Sequence, residues 1–171
     1  MTRNIKFLIL FTLTCIFITG CIKLKADNSI NAEKVKKEVD EYYSKFSGEA
    51  FLGNIKTVNK QITGWDGEIT KYIDKYDKVC RCTAIIYGES KKSTFEYYFL
   101  GDYIYVTELE EYYDYPMNIH YDRPVYVLYR AFKEELIYND SIYQLENGYL
   151  IKTDSELPYN SLDELNEAME E

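Results

Sequence analysis

Cys80 and Cys82, on either side of Arg81, are the first residues whose types and spacing could do chemistry. A Cys-x-Cys pair could form a strained, reducible disulfide or supply two thiolates to a metal ion. In a strand, however, their Cα atoms would lie near the ~7 Å limit for bridging, and Ala84 and Ile86 continue the same face. The pattern therefore favours two small thiols in the core over a disulfide. A metal site would need further ligands, and none is predicted.

The segment 112–124 (YYDYPMNIHYDRP) brings together a second set of polar side chains: Asp114, His120, Asp122 and Arg123. His120 with Asp122 could make an oriented base, and Arg123 could hold an anion. No motif marks a Ser or Cys nucleophile nearby, and no glycine-rich oxyanion loop is present. We expect a connecting loop that could contact a ligand or partner, and we assign no catalytic residue.

Tyrosine is abundant, with 19 copies in the chain. A tyrosine buries an apolar ring while its hydroxyl stays hydrated, so Tyr98, Tyr103 and Tyr105 could line a binding face for a protein, peptide or glycan. The alternative is that these side chains simply cover the wet side of a sheet, where tyrosine has a high propensity. The acidic run Glu108–Glu111 is most simply interpreted as solvated surface.

Composition excludes several classes of function. The 171 residues include 20 basic and 29 acidic side chains, for a net charge of −9, and such a surface repels nucleic acid. The hydrophobic content of 46% and aromatic content of 16% argue against a disordered chain. The sequence lacks a Gly-x-Gly-x-x-Gly motif, a Walker phosphate loop and a His-Glu-x-x-His motif, so no cofactor is predicted.

The N-terminus has the features of a secretion signal. A short basic stretch precedes the apolar run Phe7–Ile18, which is short of the ~20 residues that a transmembrane helix needs. The next residues, Ile18-Thr19-Gly20-Cys21, resemble the lipobox of bacterial lipoproteins. The resemblance implies cleavage after Gly20 and attachment of fatty acyl chains, such as palmitate, to Cys21. Two or more chains anchor a protein stably.

The resemblance also implies an address and a domain plan. Residues 1–20 would be the signal peptide and residues 21–28 the lipidated cysteine with a short tether. The length and the pattern of the remaining residues, 29–171, predict a single α+β domain. The protein would lie at the extracytoplasmic face of the cell membrane. A tether of this length reaches only about 15 Å, which would hold the domain close to the bilayer.

The first element after the tether is predicted to be a helix from Ser29 to Phe46. Asn31 is a plausible N-cap and Gly48 a plausible stop. The apolar positions recur with helical spacing, at Val35, Val39, Tyr42 and Phe46. A second short helix is predicted within Glu49–Gln61.

Further along the chain, alternation with a period of two predicts strands. Gly101-Asp102 suits a two-residue hairpin turn, which would set Tyr97 opposite Val106 and Tyr98 opposite Tyr105. Asn139-Asp140 and Asn147-Gly148 predict two more hairpin turns. The sequence around the first turn is similar to hairpins in secreted and lipid-anchored bacterial proteins of unknown function, from which no activity carries over.

These elements predict an α+β fold with an N-terminal helix, an antiparallel meander of about six strands and a short C-terminal helix. Ser161-Leu-Asp-Glu164 has the spacing of a capping box at the start of that last helix. We expect the sheet to be apolar on one face and wet on the other.

Function is expected to be non-catalytic. The chain would be an envelope-tethered module that binds a protein, peptide or glycan through the sheet face or the 112–124 loop. One alternative is an inhibitor of an envelope hydrolase, and another is a carrier of a lipid or apolar ligand, with the N-terminal helix closing over the sheet. A less favoured alternative is a small hydrolase that uses His120, Asp122 and Arg123.

Overall fold

The computed structural model of the chain describes residues 30–62, 66–114, 116 and 126–170. Within these residues there are two helices and eight strands. Their bounds are α1 (Ala32–Phe51), β1 (Lys56–Gln61), β2 (Gly67–Ile73), β3 (Val79–Tyr87), β4 (Lys91–Phe99), β5 (Ile104–Tyr113), β6 (Val127–Tyr138), β7 (Ser141–Glu146), β8 (Tyr149–Thr153) and α2 (Leu162–Glu170).

The strands form one antiparallel sheet in which spatial order follows chain order from β1 to β8. The α+β class and the meander are therefore confirmed, but the strand count is eight rather than about six. The short helix predicted within Glu49–Gln61 is not formed, because α1 occupies the first part and β1 the last. β1 is a polar, largely exposed edge strand held by pairing with β2. Its sequence lacks the apolar alternation that identifies a half-buried strand.

The predicted hairpin turns are confirmed with their registers. Tyr97 pairs with Val106 and Tyr98 with Tyr105 around the Gly101-Asp102 turn. Asn139-Asp140 and Asn147-Gly148 also close hairpins, and all four residues have positive φ. Such turns match the right-handed twist of the flanking strands, which explains why turn residues predict them so well.

The predicted N-cap of helix α1 at Asn31 is confirmed, so the helix begins at Ala32 rather than at Ser29, and it ends later than predicted. The side-chain oxygen of Asn31 accepts from the backbone N–H groups of Glu33, at 2.8 Å, and of Lys34, at 3.3 Å. The helix continues through Gly48 to Phe51, and Gly53 takes the positive φ. A glycine inside a helix costs only about 1 kcal/mol, so Gly48 does not by itself stop the helix.

Buried clusters of side chains pack on both faces of the sheet, so the expectation that one face is solvated is wrong. The face against α1, here the helix face, includes Tyr98, Tyr105, Leu136, Tyr143 and Leu145, which pack with Val35 of α1. The opposite face, here the cavity face, includes Ile69, Cys82, Phe95, Tyr97, Val106 and Ile137, which pack with Leu157 and Leu165 near the C-terminus.

The C-terminal helix lies on the cavity face. The hydroxyl of Ser161 accepts from the backbone N–H of Glu164 at 3.1 Å, as the capping-box spacing predicts. The Glu164 carboxylate in turn accepts from the backbone N–H of Asn160. Leu165 is fully buried, and Lys71 of β2 donates to the Asn166 side chain at 2.8 Å, which places α2 against β2.

Candidate ligand-binding site

A cavity of about 1040 Å³ lies between the cavity face and the segment 155–164 that precedes and opens α2. One part of its lining is apolar and consists of Ile86, Phe95, Ile137, Ile142, Leu157 and Pro158. Another part is polar and includes Lys91, Ser93, Glu108 and Ser155. Large, mainly apolar cavities with a few convergent polar groups are the usual form of small-molecule sites in proteins.

The polar side of this cavity is continuous with charged side chains on three neighbouring strands, here the charged wall. It consists of Lys91 on β4, Glu108 and Glu110 on β5, and Lys133 and Glu135 on β6. Strand alternation places all five on the cavity face, in phase with the apolar residues Phe95, Val106 and Ile137. The sheet therefore holds the charges in fixed positions on a rigid surface.

Ion pairs connect most of the charged wall. Lys91 Nζ lies 2.6 Å from a carboxylate oxygen of Glu110, and Lys133 Nζ lies 2.8 Å from one of Glu108. Glu135 is only 2% exposed and accepts a hydrogen bond from the Ser155 hydroxyl. Three carboxylates thus share the wall with two ammonium groups.

Two members of the charged wall, Glu110 and Lys133, have pKa values shifted further from neutrality. Burial alone would raise the pKa of Glu110, but hydrogen bonds from Lys91 and Tyr112 bring that pKa below its ordinary value. The hydrogen bond to Glu108 raises the pKa of Lys133, against the effect of burial. Fixed charges of this kind can orient a ligand but do not exchange protons readily near pH 7. Among the residues that the structure describes, no group of His, Cys, Asp and Glu is arranged to hold a metal ion.

The tyrosines considered as a binding face lie beneath α1. Tyr98 is 2% exposed and Tyr105 is 4% exposed. The Tyr105 hydroxyl donates to Glu134, and the half-buried Tyr103 donates to Glu38 of α1. Burial is the main cause of the raised pKa of Tyr98 and of Tyr105. The structure therefore gives these side chains a packing role between helix and sheet.

Arg81 packs among three aromatic rings on the helix face. Its guanidinium carbon lies 5.1 Å from the ring centre of Tyr72, 5.4 Å from that of Tyr98 and 5.5 Å from that of Phe46. The same group pairs with Glu96, which also accepts from the Tyr98 hydroxyl. A cation between aromatic rings and a carboxylate is well compensated for its loss of water.

Only part of the 112–124 segment lies within the described residues. Asp114 lies at the end of β5, where its carboxylate accepts from the backbone N–H of Tyr126 at 2.9 Å. This contact joins the two ends of the β5–β6 connection. His120, Asp122 and Arg123 lie outside the described residues, as does Cys21.

Both described cysteines are free thiols. Cys82 is buried, and burial raises its pKa to about 12, which keeps the thiol protonated and unreactive. Cys80 lies where the β2–β3 register shifts, since Arg81 pairs with Tyr72 and Val79 with Ile73. Its thiol donates to the backbone carbonyl of Tyr72 at 3.1 Å. Cys82 thus has the predicted core position.

The sequence alone did not indicate that the residues of the charged wall line a site. Glu108, Glu110 and Glu111 are buried, so their interpretation as solvated surface is wrong. A signal was available, because Glu108 and Glu110 follow Val106 in phase on the apolar face of a confirmed hairpin. The lysines that neutralise them come from other strands, and Ser155 and Leu157 reach the cavity only through the tertiary fold.

Comparisons of the chain with protein-family models, with curated proteins and with solved structures found no match. Within the described part of the chain, no helix has the length and apolar character needed to cross a membrane.

Proposed function

We propose that the protein is a lipid-anchored, non-catalytic module of the cell envelope that holds a small, partly apolar ligand in the cavity on the cavity face. The observation that carries the proposal is the cavity itself, about 1040 Å³ in volume, with an apolar floor beside a charged wall. Its size is comparable to that of the larger known ligand sites. Of the alternatives that the sequence left open, this favours a carrier of an apolar ligand, with the cavity opposite α1 rather than beneath it.

The state of the charged wall supports binding without catalysis. Its carboxylates are paired with lysines or with Ser155, and the pKa of Glu110 is lowered rather than raised. A general acid needs a carboxyl group whose pKa is raised towards neutrality. The hydrolase alternative depends on His120, Asp122 and Arg123, which lie outside the described residues.

The anchor proposal rests on the lipobox resemblance at Cys21 and on its spacing from the domain. The tether would keep the cavity within a short distance of the bilayer. Anchoring raises the local concentration of a binding site, so modest affinity for ligands at the membrane is sufficient.

The cavity is tested by filling it. Ile142 lines the cavity, so Ile142→Trp should displace a neutral fluorescent probe that brightens in apolar surroundings, such as Nile red. Ile151→Trp is the matched control. Ile151 is on β8 opposite Gln144, so it lies on the same face of the sheet as Ile142 but outside the cavity lining. We expect the control to keep the probe and the cavity variant to lose it. Equal probe binding by both variants would contradict the proposed site.

The anchor is tested separately in cells. Cys21→Ser should release the protein from the membrane fraction. Cys80→Ser is the control and should leave the protein there, because Cys80 is a half-buried thiol of β3 and not the proposed site of lipid attachment. Intact mass analysis of the native N-terminal peptide should show the mass of the attached acyl chains. An unmodified Cys21 in the native protein would refute the anchor.

A further inference from the structure

We infer that the ligand of this cavity is a cationic amphiphile, a molecule with an ammonium or guanidinium group on an apolar body. The inference rests on the proposed function and names the chemistry of its ligand. Its basis is the imbalance of charge around a cavity that also has an apolar surface, together with the position of the buried carboxylates.

The cavity lining is acidic. Among the described residues that line it, four carry carboxylates (Glu108, Asp140, Glu156 and Glu164) and one, Lys91, carries an ammonium group. In a concave site with apolar walls, charges of one sign reinforce each other and attract ligands of the opposite sign. The net charge of −9 on the whole chain acts in the same direction.

The charged wall, part of which lies behind the lining, also has more carboxylates than ammonium groups. Glu108 is paired with Lys133 and Glu110 with Lys91, whereas Glu135 accepts a hydrogen bond from the Ser155 hydroxyl and shares the charge of Lys133 with Glu108 and Glu110. The positive charge near Glu135 is therefore only partial compensation. A carboxylate that is 2% exposed retains a high cost of desolvation unless a positive charge compensates it. Ser155 lines the cavity in front of Glu135, so a bound cation would approach this carboxylate through Ser155.

The apolar part of the lining indicates that the remainder of the ligand, apart from its cationic group, is apolar. Phe95, Ile137, Ile142 and Leu157 offer a continuous apolar surface beside Glu108 and Ser155. A ligand with its cation at these two polar residues would lay its apolar body over that surface. Burial of alkyl groups then supplies affinity, and the carboxylates supply the preference for a cation.

The test compares three ligands with the same alkyl chain and different end groups: decylamine, decanol and decanoate. Each is titrated into the full mature chain by calorimetry at pH 7, below its critical micelle concentration. We expect decylamine to bind at least about tenfold more tightly than decanol, because charge-assisted hydrogen bonds are stronger than neutral ones. We expect decanoate to bind most weakly.

The outcomes separate the inference from the proposed function. Equal binding of all three ligands, lost in Ile142→Trp, would leave the cavity as a binding site and overturn its preference for cations. Tightest binding of decanoate would also overturn it and would point to Lys91 as the anchor. If none of the three bound, the proposed function itself would fail.

Variants of the acidic residues give a second readout. Glu108→Gln should remove much of the preference for decylamine over decanol while decanol still binds. Because Glu108→Gln leaves Lys133 without its carboxylate, Glu156→Gln at the exposed rim is a milder second variant, with a loss of about threefold expected. Glu146→Gln is the control, since Glu146 is exposed and outside the cavity lining. An unchanged preference in both cavity variants would contradict the inference.

Discussion

Both faces of the sheet combine apolar or aromatic side chains with charged ones, but one face packs closely against α1 and the other lines a cavity. On the helix face, tyrosines and Arg81 fill the space beneath α1, and each tyrosine hydroxyl with a described partner donates to a glutamate or a backbone carbonyl. On the cavity face, apolar and charged side chains line a volume of about 1040 Å³. Whether a sheet face holds a cavity therefore depends more on the element that covers it than on the composition of its strands.

Helix length accounts for the difference. The 20 residues of α1 extend about 30 Å, close to the ~34 Å across eight strands. The nine residues of α2 extend only about 14 Å. A helix of that length cannot cover the whole face, so the segment before it bridges the remainder and leaves space beneath.

The largest expected effect comes from truncating one aromatic ring on each face. Tyr98→Ala should lower the free energy of unfolding by about 4 kcal/mol, because it leaves a void in closely packed surroundings. Phe95→Ala should cost about 2 kcal/mol, because Phe95 borders an existing cavity and has fewer neighbours to lose. Urea unfolding of both variants measures the difference. Equal losses would mean that the cavity face is packed as tightly as the helix face.

Arg81 provides the second test of the helix face. Arg81→Met keeps most of the volume but leaves the Glu96 carboxylate with only the Tyr98 hydroxyl as a partner and no cation, and we expect a loss of about 2 kcal/mol. Arg130→Met is the control. The Arg130 side chain is 61% exposed and its partner Glu111 keeps Lys92, so its loss should be below about 1 kcal/mol. Losses of the same size for both would show that the aromatic rings around Arg81 add nothing.

The smallest expected effect concerns pH and compares two adjacent glutamates on opposite faces. Hydrogen bonds from Lys92 and Arg130 lower the pKa of Glu111, and that of Glu110 is lowered in spite of its burial. Carboxyl groups with a lowered folded-state pKa stabilise the protein above their unfolded pKa of about 4.3, and that contribution disappears as pH falls through the folded value.

Glu111→Gln and Glu110→Gln should therefore destabilise the protein at pH 7 and approach the parent chain in stability below about pH 4. We expect the larger effect for Glu111, because two cations contact it and one contacts Glu110. Urea unfolding between pH 3 and pH 7 gives the comparison, with Glu146→Gln as the exposed control. A constant difference across this range would contradict an electrostatic origin.

Much of the fold was predictable because local chemistry specifies it. The turns at Gly101-Asp102, Asn139-Asp140 and Asn147-Gly148 set the registers of three hairpins, and Asn31 sets the start of α1. β1 was missed because its polar residues are held by pairing with β2 rather than by an apolar pattern. The candidate site was missed for a related reason. Glu108 and Glu110 are typical surface residues until lysines from other strands make their burial possible.

The sequence by itself determined the α+β class and the three hairpins of the antiparallel meander, since turns and caps act through neighbours along the chain. Lipid attachment at Cys21 stays a prediction from the same sequence. Only the tertiary structure decided which face of the sheet is closely packed against a helix and which holds a cavity. That outcome depends on how far each helix extends over the sheet and on charges brought together from separate strands. Contacts between residues distant in sequence carry this information, and no short pattern records it.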